Sequence, residues 1–96
     1  MKQTKYFAKQ RRNPAKRIAL KRKLVDLLGG KCIDCGYSAH LAALDFDHVN
    51  PKTKKHSIAK LLDTDIDYEV LMTEVYKCVI RCANCHRIRT HPDATD

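Results

Sequence analysis

The chain has no tryptophan, and its two Phe and four Tyr make up only 6% of its 96 residues. A chain this short, with so few large apolar side chains, can form only a small hydrophobic core. We therefore expect one domain whose fold needs additional stabilisation, such as a structural metal. It also lacks an apolar run long enough to cross a bilayer, and no hydrophobic signal segment follows its basic beginning. We therefore expect a cytoplasmic protein without a membrane partner, in which paired cysteines are more often metal ligands than disulfides.

Acidic residues are missing from positions 1–25, whereas residues 1–23 contain ten Lys or Arg. The whole chain carries a net charge of +8. Such an excess favours an anionic partner, and nucleic acid is the commonest partner of a small basic domain. The competing interpretation is a solvated surface that only keeps the protein in solution.

The order of capping, alternating and breaking residues predicts an α+β chain. Asn13-Pro14 begins a helix that Gly29-Gly30 ends, and residues 1–12 before it are predicted to be a disordered arm. Alternation over residues 44–49 predicts a short strand, and residues 77–82 predict a second one. Further helices are predicted at 57–62, 68–76 and from 82 to 90. We divide the chain into a basic arm and helix, residues 1–28, and a zinc-stabilised domain, residues 29–96.

Four of the five cysteines form two C-x-x-C pairs, Cys32 with Cys35 and Cys82 with Cys85. A two-residue spacer lets both thiolates of a pair face one point, and a structural zinc takes four such ligands in a closed tetrahedron. Because 46 residues separate the two pairs, the zinc would join distant parts of a chain that is short of core. The alternative of a thioredoxin-like redox motif requires one pair in a βαβ context. Cys78 lies in an apolar run and is predicted to be a buried free thiol.

The stretch CANCH, residues 82–86, also fits the C-x-x-C-H signature of c-type haem attachment. Haem would leave Cys32 and Cys35 without a role, and only His91 follows as a possible axial ligand. We therefore favour zinc at the cysteines. This choice releases His86, at the start of the last helix, for a different site.

Taken together, CIDCG, LDFDHVNP and CVIRCANCHR resemble the HNH endonuclease family over about residues 30–91. The similarity is greatest to small phage and bacterial members that carry a zinc held by two cysteine pairs. The resemblance implies a ββα-metal fold, also called a His-Me finger, within a small zinc-stabilised α+β domain. It also implies divalent-metal-dependent nicking or cleavage of double-stranded DNA that leaves 5′-phosphate and 3′-hydroxyl ends.

The same resemblance assigns the catalytic residues. His48 is the general base, a role that suits a neutral imidazole near pH 7. Asp47 and His86 hold the catalytic divalent ion, and a carboxylate with an imidazole suits Mg²⁺, Mn²⁺ or another first-row ion. The family's middle Asn, which orients the base, falls near Lys77, whose side chain has no acceptor. A backbone carbonyl is the alternative partner for the other ring nitrogen of His48.

Six basic residues lie near the predicted site in the sequence, and we predict that they contact phosphates, which positions DNA without specifying its sequence. They are Lys52, Lys54, Lys55, Arg81, Arg87 and Arg89. The basic N-terminal segment would add salt-sensitive affinity, and the expected setting is a bacterial or phage-infected cell. Two alternatives stay open: a non-catalytic zinc-stabilised DNA-binding module, and an accessory subunit of a phage packaging or restriction assembly.

Overall fold

The computed structural model describes residues 11–92, which form four α-helices and one two-stranded antiparallel sheet. In chain order the elements are α1 Pro14–Leu27, β1 Leu44–His48, α2 Ile58–Asp63, α3 Tyr68–Val75, β2 Cys78–Cys82 and α4 Ala83–Thr90. Short 3-10 turns, Leu41–Ala43 and Pro51–Thr53, flank β1. The predicted α+β class and two-stranded sheet are therefore confirmed. None of the helices in residues 11–92 has the length and apolarity needed to cross a bilayer.

Helix α1 begins and ends where its local chemistry predicts. The Asn13 side chain accepts a hydrogen bond from the backbone N–H of Ala15 at 2.8 Å, and Pro14 occupies the first turn, where no N–H is needed. After the helix, Gly29 and Gly30 have φ of 112° and 78°, values that residues with a Cβ rarely adopt. The glycine pair therefore turns the chain away from the helix axis and toward the first cysteine pair.

Two adjacent residues of α1, Leu24 and Val25, pack in two different apolar clusters, and both residues are fully buried. Leu24 packs in a cluster with α2 and α3, and Val25 packs in a second cluster with the sheet and two cysteines. The first cluster contains Leu24, Ile58, Leu61, Leu62, Leu71, Val75 and Cys78; the second contains Val25, Cys32, Leu44, Ile80 and Cys82. Helix α1 therefore joins the two halves of the core, although it belongs to the segment that the sequence separated at residue 28.

Arg12 fixes the chain just before α1 to the end of α2. Its guanidinium donates to the carbonyls of Leu62 at 3.0 Å and Thr64 at 2.7 Å, and its backbone N–H donates to Asp63. Carbonyls at a helix C-terminus have no partner inside the helix, so Arg12 caps α2. Arg11 adds an isolated β-bridge to Thr64. The prediction of a disordered arm is therefore wrong for these two residues, and its first ten positions lie outside the described residues.

The sheet brings the two predicted sites together. Strand β1 pairs antiparallel with β2, so that Leu44 lies opposite Cys82 and His48 lies opposite Cys78. Residues 49–77, which contain α2 and α3, connect the strands. Helix α4 leaves β2 directly and packs against both strands. Asp45 and Asp47 of β1 therefore face α4, beside the cysteine pairs.

Candidate functional site

The four paired cysteines converge on one point. Their Sγ atoms all lie within 4.8 Å of one another, and the Sγ atoms of Cys35 and Cys82 are 3.7 Å apart. Four sulfurs about 2.3 Å from one zinc form a tetrahedron with edges of about 3.8 Å, whereas a disulfide needs about 2.05 Å. The cysteines are thus positioned to hold a metal ion, as predicted, and four thiolates suit zinc.

Each cysteine pair forms the same small loop around its first sulfur. The backbone N–H of Cys35 points to the Sγ of Cys32 at 3.5 Å, and that of Cys85 points to the Sγ of Cys82 at 3.4 Å. Gly36 leaves the first loop with φ of 81°. Burial opposes ionisation of Cys32, but backbone hydrogen bonds, those at Cys82 and Cys35 foremost, lower its pKa to about 6. The thiolate is the form that binds metal, and the backbone of both pairs favours it at Cys32, whereas the hydrogen bond with the Cys82 side chain and burial raise the pKa of Cys85 to about 12.

His48, at the end of β1, is buried against Glu74 of α3. Its Nε2 lies 2.8 Å from Glu74 Oε2, and the two residues are 6% and 1% exposed. Because a carboxylate only accepts, Nε2 donates its hydrogen, and a neutral ring keeps its lone pair on Nδ1. Nδ1 has no hydrogen-bond partner among residues 11–92, where no fully buried side-chain nitrogen or oxygen is unpaired. Nδ1 of His48 is therefore in contact with solvent.

The Glu74 carboxylate accepts four hydrogen bonds. Besides His48, Oε2 accepts from the backbone N–H groups of Lys55 at 2.8 Å and His56 at 3.3 Å, and Oε1 accepts from the Lys77 ammonium at 3.1 Å. Burial alone would raise the pKa of this carboxyl, but the hydrogen bonds outweigh it and lower the pKa of Glu74 to about 2. An ionised carboxylate, not the backbone carbonyl considered from the sequence, therefore orients His48. Lys77 contacts that carboxylate instead of the imidazole.

His86, in the first turn of α4, lies between two carboxylates of β1. Its Nδ1 is 2.9 Å from Asp45 Oδ2, and its Nε2 is 3.6 Å from Asp47 Oδ1. Since Asp45 accepts, Nδ1 carries the hydrogen, and the neutral ring then turns a lone pair toward a second acceptor. Two facing acceptors need a donor or a cation between them, which is a proton on the ring, a water molecule that donates to both, or a metal ion. Ligand atoms about 2.1 Å from one ion lie roughly 3.0 to 3.4 Å apart, so this pair, at 3.6 Å, is slightly wider than the spacing around a shared ion.

The other oxygen of Asp47 is held by two arginines. Its Oδ2 lies 3.0 Å from Arg81 Nη1 and 3.3 Å from Arg89 Nη1. Arg81 also donates to Asp34 at 2.7 Å, and Asp34 is the main cause that raises the pKa of the Arg81 guanidinium. The two oxygens of Asp47 therefore have different partners, with Oδ2 neutralised by guanidinium groups and Oδ1 turned to His86.

Within residues 11–92 only the four cysteines bring three or more metal-ligating side chains to one point.

A cleft of about 600 Å³ opens beside His48, Asp47 and His86. It is lined by Phe46, Asp47, His48, Pro51, Lys54, His86, Arg89 and Thr90. A smaller cavity of about 240 Å³, between α1, β1 and α2, shares Phe46, His48, Lys54 and His86 with the cleft. The two spaces therefore adjoin, and both histidines face each of them.

The six basic residues predicted to contact phosphate have different environments. Lys54 and Arg89 line the cleft, whereas Arg81 is occupied by two carboxylates and its side chain is only 14% exposed. The remaining three are exposed but lie outside the cleft lining: Lys52, Lys55 and Arg87. Lys54 is thus the best placed of the six to contact a phosphate beside the histidines, because Arg89 already donates to Asp47 at 3.3 Å and to the Val49 carbonyl at 3.2 Å.

Sequence reasoning missed two carboxylates of the site. Glu74 could have been recognised from the sequence, because it is an acid on the apolar face of α3, where Leu71 and Val75 are also buried. Asp45 could also have been recognised, since residues two apart in a strand share a face, which places it beside Asp47.

Comparison with known family models, curated proteins and solved structures finds no match for this chain.

Proposed function

We propose that the protein is a divalent-metal-dependent HNH endonuclease that nicks or cleaves double-stranded DNA. The geometry of His86 carries the proposal. Its Nδ1 is held by Asp45, and its Nε2 is presented to Asp47 at 3.6 Å, in the cleft that also contains His48. A histidine that binds a metal commonly donates its other ring N–H to a carboxylate, and Asp45 occupies that position.

Asp47 and His86 would hold the divalent ion. When bound there, Mg²⁺, Mn²⁺ or a related ion supplies neutralisation of the phosphate charge and a lower pKa for bound water. Arg89 and Lys54, in the cleft lining, add positive charge where a phosphate would enter. In this proposal the four cysteines carry a structural zinc and take no part in the reaction.

His48 acts as the general base. Its Nδ1 has the lone pair and the contact with solvent, so this atom takes the proton of the attacking water. The Glu74 carboxylate, 2.8 Å from Nε2, then stabilises the imidazolium that forms. Because the pKa of Glu74 is lowered to about 2, its charge is present at any pH at which the reaction would be measured.

A non-catalytic DNA-binding module is the second candidate, and one observation favours it. Arg81 and Arg89 already offset the charge of Asp47. A protonated His86 could then bridge Asp45 and Asp47 without any metal ion. The two candidates differ in what lies between Nε2 and Oδ1, so a test of metal-dependent cleavage separates them.

The test is nicking of supercoiled plasmid with Mg²⁺, Mn²⁺ or Ni²⁺ by the parent protein, His48→Ala and His40→Ala. His40 is exposed and lines neither space, so its variant is the matched control. We expect the parent and His40→Ala to nick equally, and His48→Ala to lose roughly 100-fold or more in rate. Plasmid binding without nicking in any metal would establish the non-catalytic module instead. Equal nicking by His48→Ala would refute the base assignment.

A further inference from the structure

Lys21, on α1, lines the cavity of about 240 Å³ that adjoins the cleft. Its side chain is partly buried, and no hydrogen-bond or ion-pair partner for its ammonium lies among residues 11–92. Burial lowers the pKa of Lys21, although the nearby Asp45 acts in the opposite direction. Withdrawing a cation from water without a partner costs free energy, so the position favours an anion that would complete it.

The walls of this cavity combine positive charge with an apolar surface. Arg17 lies one turn before Lys21 on α1, but Asp63 holds its guanidinium at 2.9 Å. Lys54 stands on a different wall, and the single acid of the lining, Asp45, is engaged by His86. The rest of the lining consists of Ser57, the two histidines and five apolar residues, Leu44, Phe46, Ile58, Ala59 and Leu62. A phosphate with an attached sugar could use both the charge and the apolar surface, because the phosphate carries the negative charge and the C–H face of the sugar ring can pack against apolar side chains.

We propose that Lys21 binds a phosphate of the nucleotide next to the scissile phosphodiester, and that the cavity receives the sugar of that nucleotide. The inference rests on the proposed endonuclease function. A scissile phosphate between His48 and His86 would lie where the two spaces meet, because both histidines line both of them. The strand on one side of that phosphate would follow the cleft past Arg89, and the strand on the other side would enter the cavity toward Lys21. Helix α1 thus supplies a defined phosphate contact in addition to diffuse positive charge.

Lys21→Gln is compared with Lys23→Gln, which removes the same charge from an exposed position two residues along the same helix. Binding of the zinc-loaded protein to a short fluorescent duplex is measured by anisotropy as a function of salt, in the His48→Ala background. We expect Lys21→Gln to weaken binding roughly tenfold and to lower the slope of log K against log salt by about 0.9. We expect Lys23→Gln to change affinity less than about twofold, and Lys21→Arg to restore binding. Lys21→Met, which retains the apolar stem, repeats the test if the Gln variant does not fold.

Cleavage supplies a separate measurement, made with the protein that retains His48. A contact made equally to substrate and transition state changes KM, so we expect Lys21→Gln to raise KM roughly tenfold with kcat nearly unchanged. Equal effects of Lys21→Gln and Lys23→Gln on binding would overturn the proposal. A tenfold difference in binding, together with no cleavage by the parent protein in any metal, would support the phosphate contact and overturn the endonuclease function.

Discussion

Replacing Glu74 by Gln removes a buried charge while keeping the shape of the side chain. Three of the four hydrogens that the carboxylate accepts, from His48 and two backbone N–H groups, go to Oε2. The amide oxygen of Gln can take that place, and its NH₂ group then faces Lys77. The Lys77 ammonium retains its hydrogen bond to the carbonyl of Thr53 at 2.8 Å. We therefore expect the variant to fold with His48 in place but without the carboxylate charge.

The pKa of Glu74 is lowered from 4.5 to about 2, so the folded chain favours the ionised form. At about 1.4 kcal/mol per pKa unit, this preference contributes on the order of 3 kcal/mol to the free energy of unfolding. The contribution is complete above the unfolded pKa and is lost as the pH falls through the folded pKa. We expect Glu74→Gln to lower the free energy of unfolding by about 3 kcal/mol at pH 7 and by about 1 kcal/mol at pH 3.

The assay is urea unfolding followed by far-UV circular dichroism, since the chain has no tryptophan to report on it. Parent and variant are compared at each pH, so that loss of metal from the cysteines in acid is common to both. Glu69→Gln, an exposed acid on the same helix, is the control and should change the free energy by no more than about 0.5 kcal/mol. Equal stability of the two variants at pH 7, or an effect of Glu74→Gln that stays constant down to pH 3, would refute a stabilising role for the Glu74 charge.

Two further variants test the cysteine site and the cap on α2. Cys35→Ser should reduce the bound zinc below one equivalent by metal analysis and lower the Tm by roughly 10 °C, whereas Cys78→Ala should retain the zinc. An unchanged Tm and zinc content in Cys35→Ser would exclude a structural metal. Arg12→Ala should lower the free energy of unfolding in urea by roughly 2 kcal/mol because the carbonyls that end α2 lose their donor. Arg11, whose side chain is 80% exposed, gives the matched control, and equal losses in Arg11→Ala would contradict the capping role.

The features that could be predicted from the sequence are those whose causes lie within a few residues. Asn13 caps α1 through an N–H two residues away, and Asp67 caps α3 through that of Glu69 at 3.4 Å. The two-residue spacer in each cysteine pair likewise determines the loop around its first sulfur. Such signals need no knowledge of the tertiary packing, which explains why the elements and the cysteine site were predicted.

The partners that hold the histidines come from distant positions. Glu74 is 26 residues from His48, and Asp45 is 41 residues from His86. Each contact depends on how a helix docks on β1, and docking follows from packing of whole elements that a local pattern does not specify. The same holds for Arg12, which is 52 residues from Thr64 and was assigned to a disordered arm on its local composition.

Helix α4 has no fully buried residue, and only Cys85 packs against an apolar cluster, so apolar packing contributes little to its position. At its first turn, the N–H of Cys85 is bound to the Sγ of Cys82, and further along Arg89 is paired with Asp47. A rotation of the helix by one residue, about 100°, would carry His86 away from both β1 carboxylates. A metal on the four sulfurs would oppose that rotation, because Cys85 immediately precedes His86 and its sulfur would be tied to the loop of Cys32. Loss of that metal should therefore displace His86 before it disrupts the cluster that α1, α2 and α3 form.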